Sequence, residues 1–205
     1  MANFNVYDLW YNNIPEGWED LNVDNELFFL NKLLKKDYDK LLPFKNYVFS
    51  SFHKIKPNDI KLVIMDENPR LGIINGDSKD IGIPFYNNFF GNDYNAKKLL
   101  KLMNKNENDP IINLFNSNVF LIHSSLTCEL QNNKKHYYIW KDFLFKVFDY
   151  LNKLNPKIIY IIFGNQIYNE NDFLGKSSKI YQFKSFYDKK LIELFKEDFM
   201  IEFFK

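Results

Sequence analysis

A chain of 205 residues with 46% hydrophobic and 19% aromatic content has the apolar surface for one substantial core and does not read as a disordered segment. Its 27 Lys and Arg against 26 Asp and Glu leave a net charge of +1, which excludes both an overall basic footprint and the acidic surface of a nucleic-acid mimic. The one cysteine, Cys128, excludes an internal disulfide and a cysteine-rich zinc site, and it reads as a buried thiol in a reducing compartment.

In chain order, the segment through Pro43 carries a helical stripe at Glu26 to Lys36, expected to pack as an N-terminal helical segment on the remainder. Lys61-Leu62-Val63-Ile64-Met65 reads as a buried strand running into a loop at Asp66. That loop extends to about Asn88, long enough to have work of its own. Ala96 to Lys105 is helical in pattern, and Asn118 to His123 is a second strand followed by a polar loop from Ser124 to Lys135. A helix from about Tyr138 to Asn152 leads past Pro156 to a third apolar strand, Lys157 to Gly164. A last helix is expected over Lys189 to Phe199.

Apolar strands alternating with helices predict an α/β chain with a parallel sheet covered on both faces. Ligands of such sheets bind at the carboxyl ends of the strands, so the loops after Met65, His123 and Phe163 are the candidate site. No repeat or linker divides the chain, and a single domain spanning 1–205 is expected. No basic-then-apolar leader opens it, and no run approaches the ~18 apolar residues of a membrane helix. His53 and His136 lack companions at ligand spacing, so no metal and no cofactor is expected.

Three strand-end segments, in order, resemble the uracil-DNA glycosylases, and in detail the poxvirus type. Leu126-Thr127-Cys128-Glu129-Leu130, followed by Lys134, His136 and Trp140, resembles the poxviral Leu-Ser-Cys-Lys-Leu pattern with Lys, His and Trp at the same spacings. Asp59 to Ile64 is similar to the family's first strand, and Glu67-Asn68-Pro69-Arg70 stands where the family has its water-activating loop. Ile81-Gly82-Ile83-Pro84-Phe85 resembles the Gly-x-Pro-Phe segment whose Phe stacks on the extruded base. The resemblance covers roughly residues 40 to 165. It implies a three-layer α/β/α sandwich around a central, mostly parallel four-stranded sheet.

Excising a base requires it to be held outside the helix, a positioned water, and donors to the leaving anion. The resemblance makes Asn68 the water-holder and Arg70 a wall of the base pocket, with Asp66 and Glu67 as alternatives; Asn before Pro also serves as an ordinary Asx turn. It puts His123 where the family has a base-reading Asn, although a strand-end His is equally satisfied by backbone groups. Phe85 is the stacking candidate, or one more core Phe among 22.

The His-Pro loop expected after the last strand is missing from Lys176 to Asp188. There Lys176, Ser177 and Lys184, with Ser178, Lys179, Lys189 and Lys190, are candidate DNA contacts or simply a solvated face. The implied function is a glycosylase-like protein, weak or silent in catalysis, that binds single- or double-stranded DNA as a subunit of a replication or repair complex. A DNA polymerase or another replication protein is the expected partner. The alternative is a divergent active glycosylase. Either form is expected inside the cell, at the site of DNA replication.

Overall fold

The computed structural model describes residues 5–34, 40–131, 136–164 and 179–197. Helices α1 (Val6–Tyr11) and α2 (Asp24–Leu34) precede a two-residue strand β1 (Leu41–Leu42). The central strand β2 (Leu62–Asp66) follows, and then two small hairpins, β3 (Ile73–Ile74) with β4 (Asp77–Ser78) and β5 (Tyr86–Asn87) with β6 (Gly91–Asn92). Helix α3 (Tyr94–Leu102), a 3₁₀ stretch (Ile111–Ser117), β7 (Val119–His123) and β8 (Cys128–Glu129) come next. The chain continues through α4 (Tyr137–Leu154), β9 (Ile159–Phe163), β10 (Lys179–Phe183) and α5 (Lys189–Leu194).

Among the described residues the main sheet has four strands in the order β10-β9-β2-β7, all parallel. The expected α/β class and four-stranded parallel sheet are therefore observed. Strands β2, β7 and β9 are the three apolar runs legible in the sequence, and each is buried over nearly its whole length. Strand β10 is an addition to the expected elements, because Lys179 to Phe183 has the pattern of a polar loop. It is an edge strand, exposed or half-exposed except at Phe183, so its composition lacks the unbroken apolar run of a central parallel strand.

The register puts Val63, Phe120 and Tyr160 abreast on one face. Phe120 meets Trp18 and Phe52, and Tyr160 meets Phe148 of α4. Phe52 is 1% exposed, with Trp10, Trp18 and Phe143 packed on it edge to face at 5.0–6.0 Å between ring centres. The N-terminal helices join this cluster because their apolar residues recur at helical spacing. In α2 these are Leu27, Leu30 and Leu34, while α1 contributes Val6 and Trp10. Helix α1 is started by Asn5, whose side chain accepts from the backbone N–H groups of Tyr7 and Asp8.

The long loop after β2 is built from local turn chemistry. Asn75 and Gly76, at φ of 51° and 81°, form the tight turn of the β3–β4 hairpin, the pairing for which Asn-Gly is suited. At Gly82, φ is +73°, and a Cβ there would collide with the Tyr47 carbonyl oxygen, so only glycine fits.

Replacing Phe52 by Ala is expected to cost about 3–5 kcal/mol in urea unfolding, because a ring enclosed by other rings leaves a cavity that stiff neighbours cannot fill. Phe28→Ala, at a side 53% exposed on α2, is expected to stay within about 0.5 kcal/mol of the parent.

Candidate active site

Parallel registration brings Asp66, the last residue of β2, directly beside His123, the last residue of β7. The two chains remain joined beyond the strands. Ser124 N donates to the Asp66 carbonyl at 2.7 Å, and Ser125 N and Ser124 Oγ both donate to the Glu67 carbonyl, at 3.2 and 2.5 Å. The loops after β2 and β7 thus form one rim at the carboxyl end of the sheet. The end of β9 approaches the same rim: Gly164 has φ of +127°, and a Cβ there would strike the Glu67 side chain.

At the centre is Asp80, fully buried and overlooked in the sequence. Its Oδ2 accepts from Arg70 N at 2.8 Å and its Oδ1 from Gly82 N at 2.7 Å, so one carboxylate ties the water-loop segment to the Gly-x-Pro-Phe segment. The signal that would have found it is Asp80-Ile81-Gly82, an acceptor two residues before a glycine whose N–H needs a partner. His123 Nε2 lies 3.3 Å from Asp80 Oδ2. The angle makes no hydrogen bond, and both ring nitrogens of His123, 1% exposed, are without hydrogen-bond partners among the described residues.

The charges around this centre are unequal. The Arg70 guanidinium is ion-paired with Asp93, which also accepts from Ala96 N at 2.6 Å as the N-cap of α3. Burial pulls the pKa of Arg70 down, while the negative charges of Asp66 and Asp80 act in the other direction. Arg70 is thus held against α3. Burial raises the pKa of Asp66 well above its ordinary carboxylate value, and the neighbouring His123 only partly offsets this. The Cys128 thiol, which reaches the Pro69 carbonyl at 3.6 Å, is pushed up to about 12 by burial and by Asp80 and Glu129 nearby, so it is not a nucleophile at neutral pH.

Asn68 is 9% exposed, and its Oδ1 is without a hydrogen-bond partner among the described residues. Phe85 is fully buried and has φ of +66°, unusual for so bulky a residue, with its carbonyl accepting from Asp93 N at 3.0 Å. Its ring meets Phe186 at 5.2 Å and Phe163 at 6.2 Å, each at 89°, while Phe163 and Phe186 stack on each other at 3.8 Å. Phe186 lies in the turn that follows β10, the last strand among the described residues. That turn, Lys184 to Asp188, falls within the Lys176 to Asp188 segment in which the sequence shows no His-Pro loop, and it carries a buried Phe186.

Lys184 is exposed at the start of that turn, while Lys176, Ser177 and Ser178, and the Lys134 of the resemblance, lie outside the described residues. His136, read as structural, is buried with Nδ1 2.9 Å from Thr127 Oγ1, which also accepts from Trp140 Nε1 at 2.7 Å. The spacing of Thr127, His136 and Trp140 thus fixes the entry to α4. His53 is exposed and lines two surface cavities, and among the described residues no cluster of metal-ligating side chains is found.

The fold so described is that of the uracil-DNA glycosylases. The structure superposes on mimivirus uracil-DNA glycosylase with a TM-score of 0.67 at 19% identity, covering 85% of this chain and 69% of that one. In sequence the chain is similar to the uracil-DNA glycosylases of Borreliella burgdorferi, 29% identical over 168 residues and 74% of each chain, and of Buchnera aphidicola, 24% identical over 173 residues and 79% of each. No family model matches the chain. The chain is thus similar in sequence and in fold to uracil-DNA glycosylases.

Two expectations follow from the geometry. Asp80→Ala is expected to destabilise the protein by about 2–4 kcal/mol, because two inward-facing backbone donors lose their acceptor, with Asp80→Asn losing less. For Asp66 the folded pKa lies above the unfolded one, so the native state binds the extra proton and stability falls as pH rises from 3.8 through the folded pKa. Asp66→Asn removes that loss. Its urea midpoint relative to the parent is expected to climb over the same pH window and then level off.

Proposed function

We propose that this chain is a uracil-DNA-glycosylase-like protein that engages DNA while excising uracil weakly or not at all. The observation that carries this reading is the state of the stacking position. Phe85 has no exposed area, and the Phe163–Phe186 pair closes against it. A flat base needs a free aromatic face, and here the neighbouring rings belong to the protein.

The remaining groups support the same conclusion. Asn68 offers an amide where a carboxylate would stabilise a cationic sugar with a full charge. The turn after β10 presents Phe186 where the resemblance implies a hydrogen-bond donor to the leaving base. Loss of such a donor ordinarily costs about 100-fold or more in rate. In this reading the protein serves as a DNA-binding subunit of a replication or repair complex inside the cell, with a polymerase or another replication protein as its partner. Among the described residues no helix is long and apolar enough to cross a membrane.

A second reading, a divergent active glycosylase, is favoured by one observation. The Asn68 Oδ1 and both ring nitrogens of His123 are buried hydrogen-bonding groups without partners among the described residues. Such groups are costly unless a ligand or water uses them. In that reading Asn68 orients water, His123 donates to the base, and Phe85 takes part only after Phe186 moves.

Single-turnover incubation with uracil-containing single- and double-stranded DNA separates the two. The expected result is binding of both substrates with only a slow yield of abasic sites that Asn68→Ala leaves unchanged. Rapid excision abolished by Asn68→Ala and by His123→Ala would establish the active enzyme instead.

A further inference from the structure

Three exposed aromatic rings belong to segments next to the site. Tyr94, the first residue of α3, is 66% exposed, Tyr187 is 66% exposed, and Phe90, in the turn between β5 and β6, is 74% exposed. Lys98, one turn beyond Tyr94 along α3, holds its Nζ 3.5 Å from the centre of the Tyr187 ring, which brings Tyr187 to the same end of α3 as Tyr94. Phe90 and Lys97 line one surface cavity of about 270 Å³, together with Glu107. Each tyrosine is next in sequence to a residue of the site: Tyr94 follows Asp93, the partner of Arg70, and Tyr187 follows Phe186.

Rings this exposed add little to the core, and aromatic surface of this kind marks an interaction site. Its partner is indicated by the charges. Lys97, Lys184, Lys189 and Lys190 are exposed around the tyrosine pair, and Lys98 lies on a ring face. Cations interleaved with open aromatic faces suit a polyanion that also carries flat groups to stack. An unpaired polynucleotide strand is such a partner, whereas a duplex keeps its base faces stacked inside.

We infer that Tyr94, Tyr187 and Lys98 form a stacking platform for unpaired nucleotides of a single DNA strand passing the site. This rests on the proposed reading that the chain engages DNA. The platform makes single-stranded DNA the preferred ligand, with Phe90 and Lys97 extending it along the strand.

The test is fluorescence anisotropy with labelled oligothymidine, which contains no uracil, and with a duplex of the same length. Tyr94→Ala and Tyr187→Ala are each expected to weaken oligothymidine binding about tenfold and to leave duplex binding unchanged. The corresponding Phe variants retain binding, because stacking needs the ring and not the hydroxyl. Thermal melting checks that the exposed substitutions leave the fold intact. Oligothymidine binding that survives the double Ala variant would overturn the inference, as would equal losses in the Phe and Ala variants. Tyrosine-dependent binding of polyglutamate in place of oligothymidine would also overturn it, by assigning the patch to an acidic protein. Uracil excision in the same preparations separates the two levels. Rapid excision with tyrosine-dependent oligothymidine binding removes only the silent reading, and rapid excision with tyrosine-independent binding removes the platform as well.

Discussion

Strand β2 is hydrogen-bonded on both sides, to β7 and to β9, in parallel register, and the site depends on this single constraint. Parallel pairing makes strands end together. When three apolar strands finish at nearly the same level, whatever follows them is forced into one crowded layer, and here that layer receives Asp66 and His123 side by side, with Gly164 against Glu67. The chain cannot solvate these groups by turning outward, because the loops after β2 and β7 are joined by hydrogen bonds from Ser124 and Ser125. Polar groups are thus delivered to a place where they must find partners within the protein.

Asp80 is the principal partner. By accepting two backbone N–H groups it satisfies donors on two separate loops, and its charge sits within reach of His123. The arrangement concentrates negative charge: Asp66, Asp80 and Asp93 surround one guanidinium, that of Arg70. Burial is what raises the pKa of Asp66 there, with a smaller contribution from the neighbouring Glu67 charge, while His123 and Arg70 act against it. The same excess makes the immediate floor of the site unwelcoming to a bare phosphate. Positive charge is carried instead on the rim, where Lys97, Lys184, Lys189 and Lys190 are exposed around α3 and α5.

The sheet is legible in the sequence to the extent that its strands are buried on both faces. Leu62 to Met65, Val119 to Ile122 and Ile159 to Phe163 are unbroken apolar runs, the pattern that a parallel strand covered by helices on both sides requires. Strand β10 is invisible there because an edge strand next to solvent tolerates Lys179 and Gln182, and its pattern then resembles a loop. Without it the turn that carries Phe186 has no strand before it, and the contact of that ring with Phe85 stays hidden. Asp80, Asp93 and the Tyr94–Tyr187 pair are hidden for another reason: their roles come from contacts between distant segments, and nothing local to an aspartate states which backbone groups will meet it. Asn68, Arg70, Phe85 and His123 are candidates named by resemblance to a family pattern, which says nothing of their partners, and the partners decide what these residues can do.

The aromatic closure over Phe85 shows what such a decision looks like physically. An enzyme that takes a base into a pocket must keep apolar surface open in its free state, at a cost in stability. Filling that space with Phe186 stacked on Phe163 recovers the burial, on the order of 2–3 kcal/mol for one phenyl ring. A ligand base then has to displace the ring before it can stack. Once the turn after β10 carries a phenylalanine, the surrounding packing favours keeping it there. The strained backbone of Phe85 is held in place by the same packing and by Asp93. A pocket on this scaffold can therefore be closed by one apolar side chain while the sheet, the rim and the exposed tyrosines remain intact.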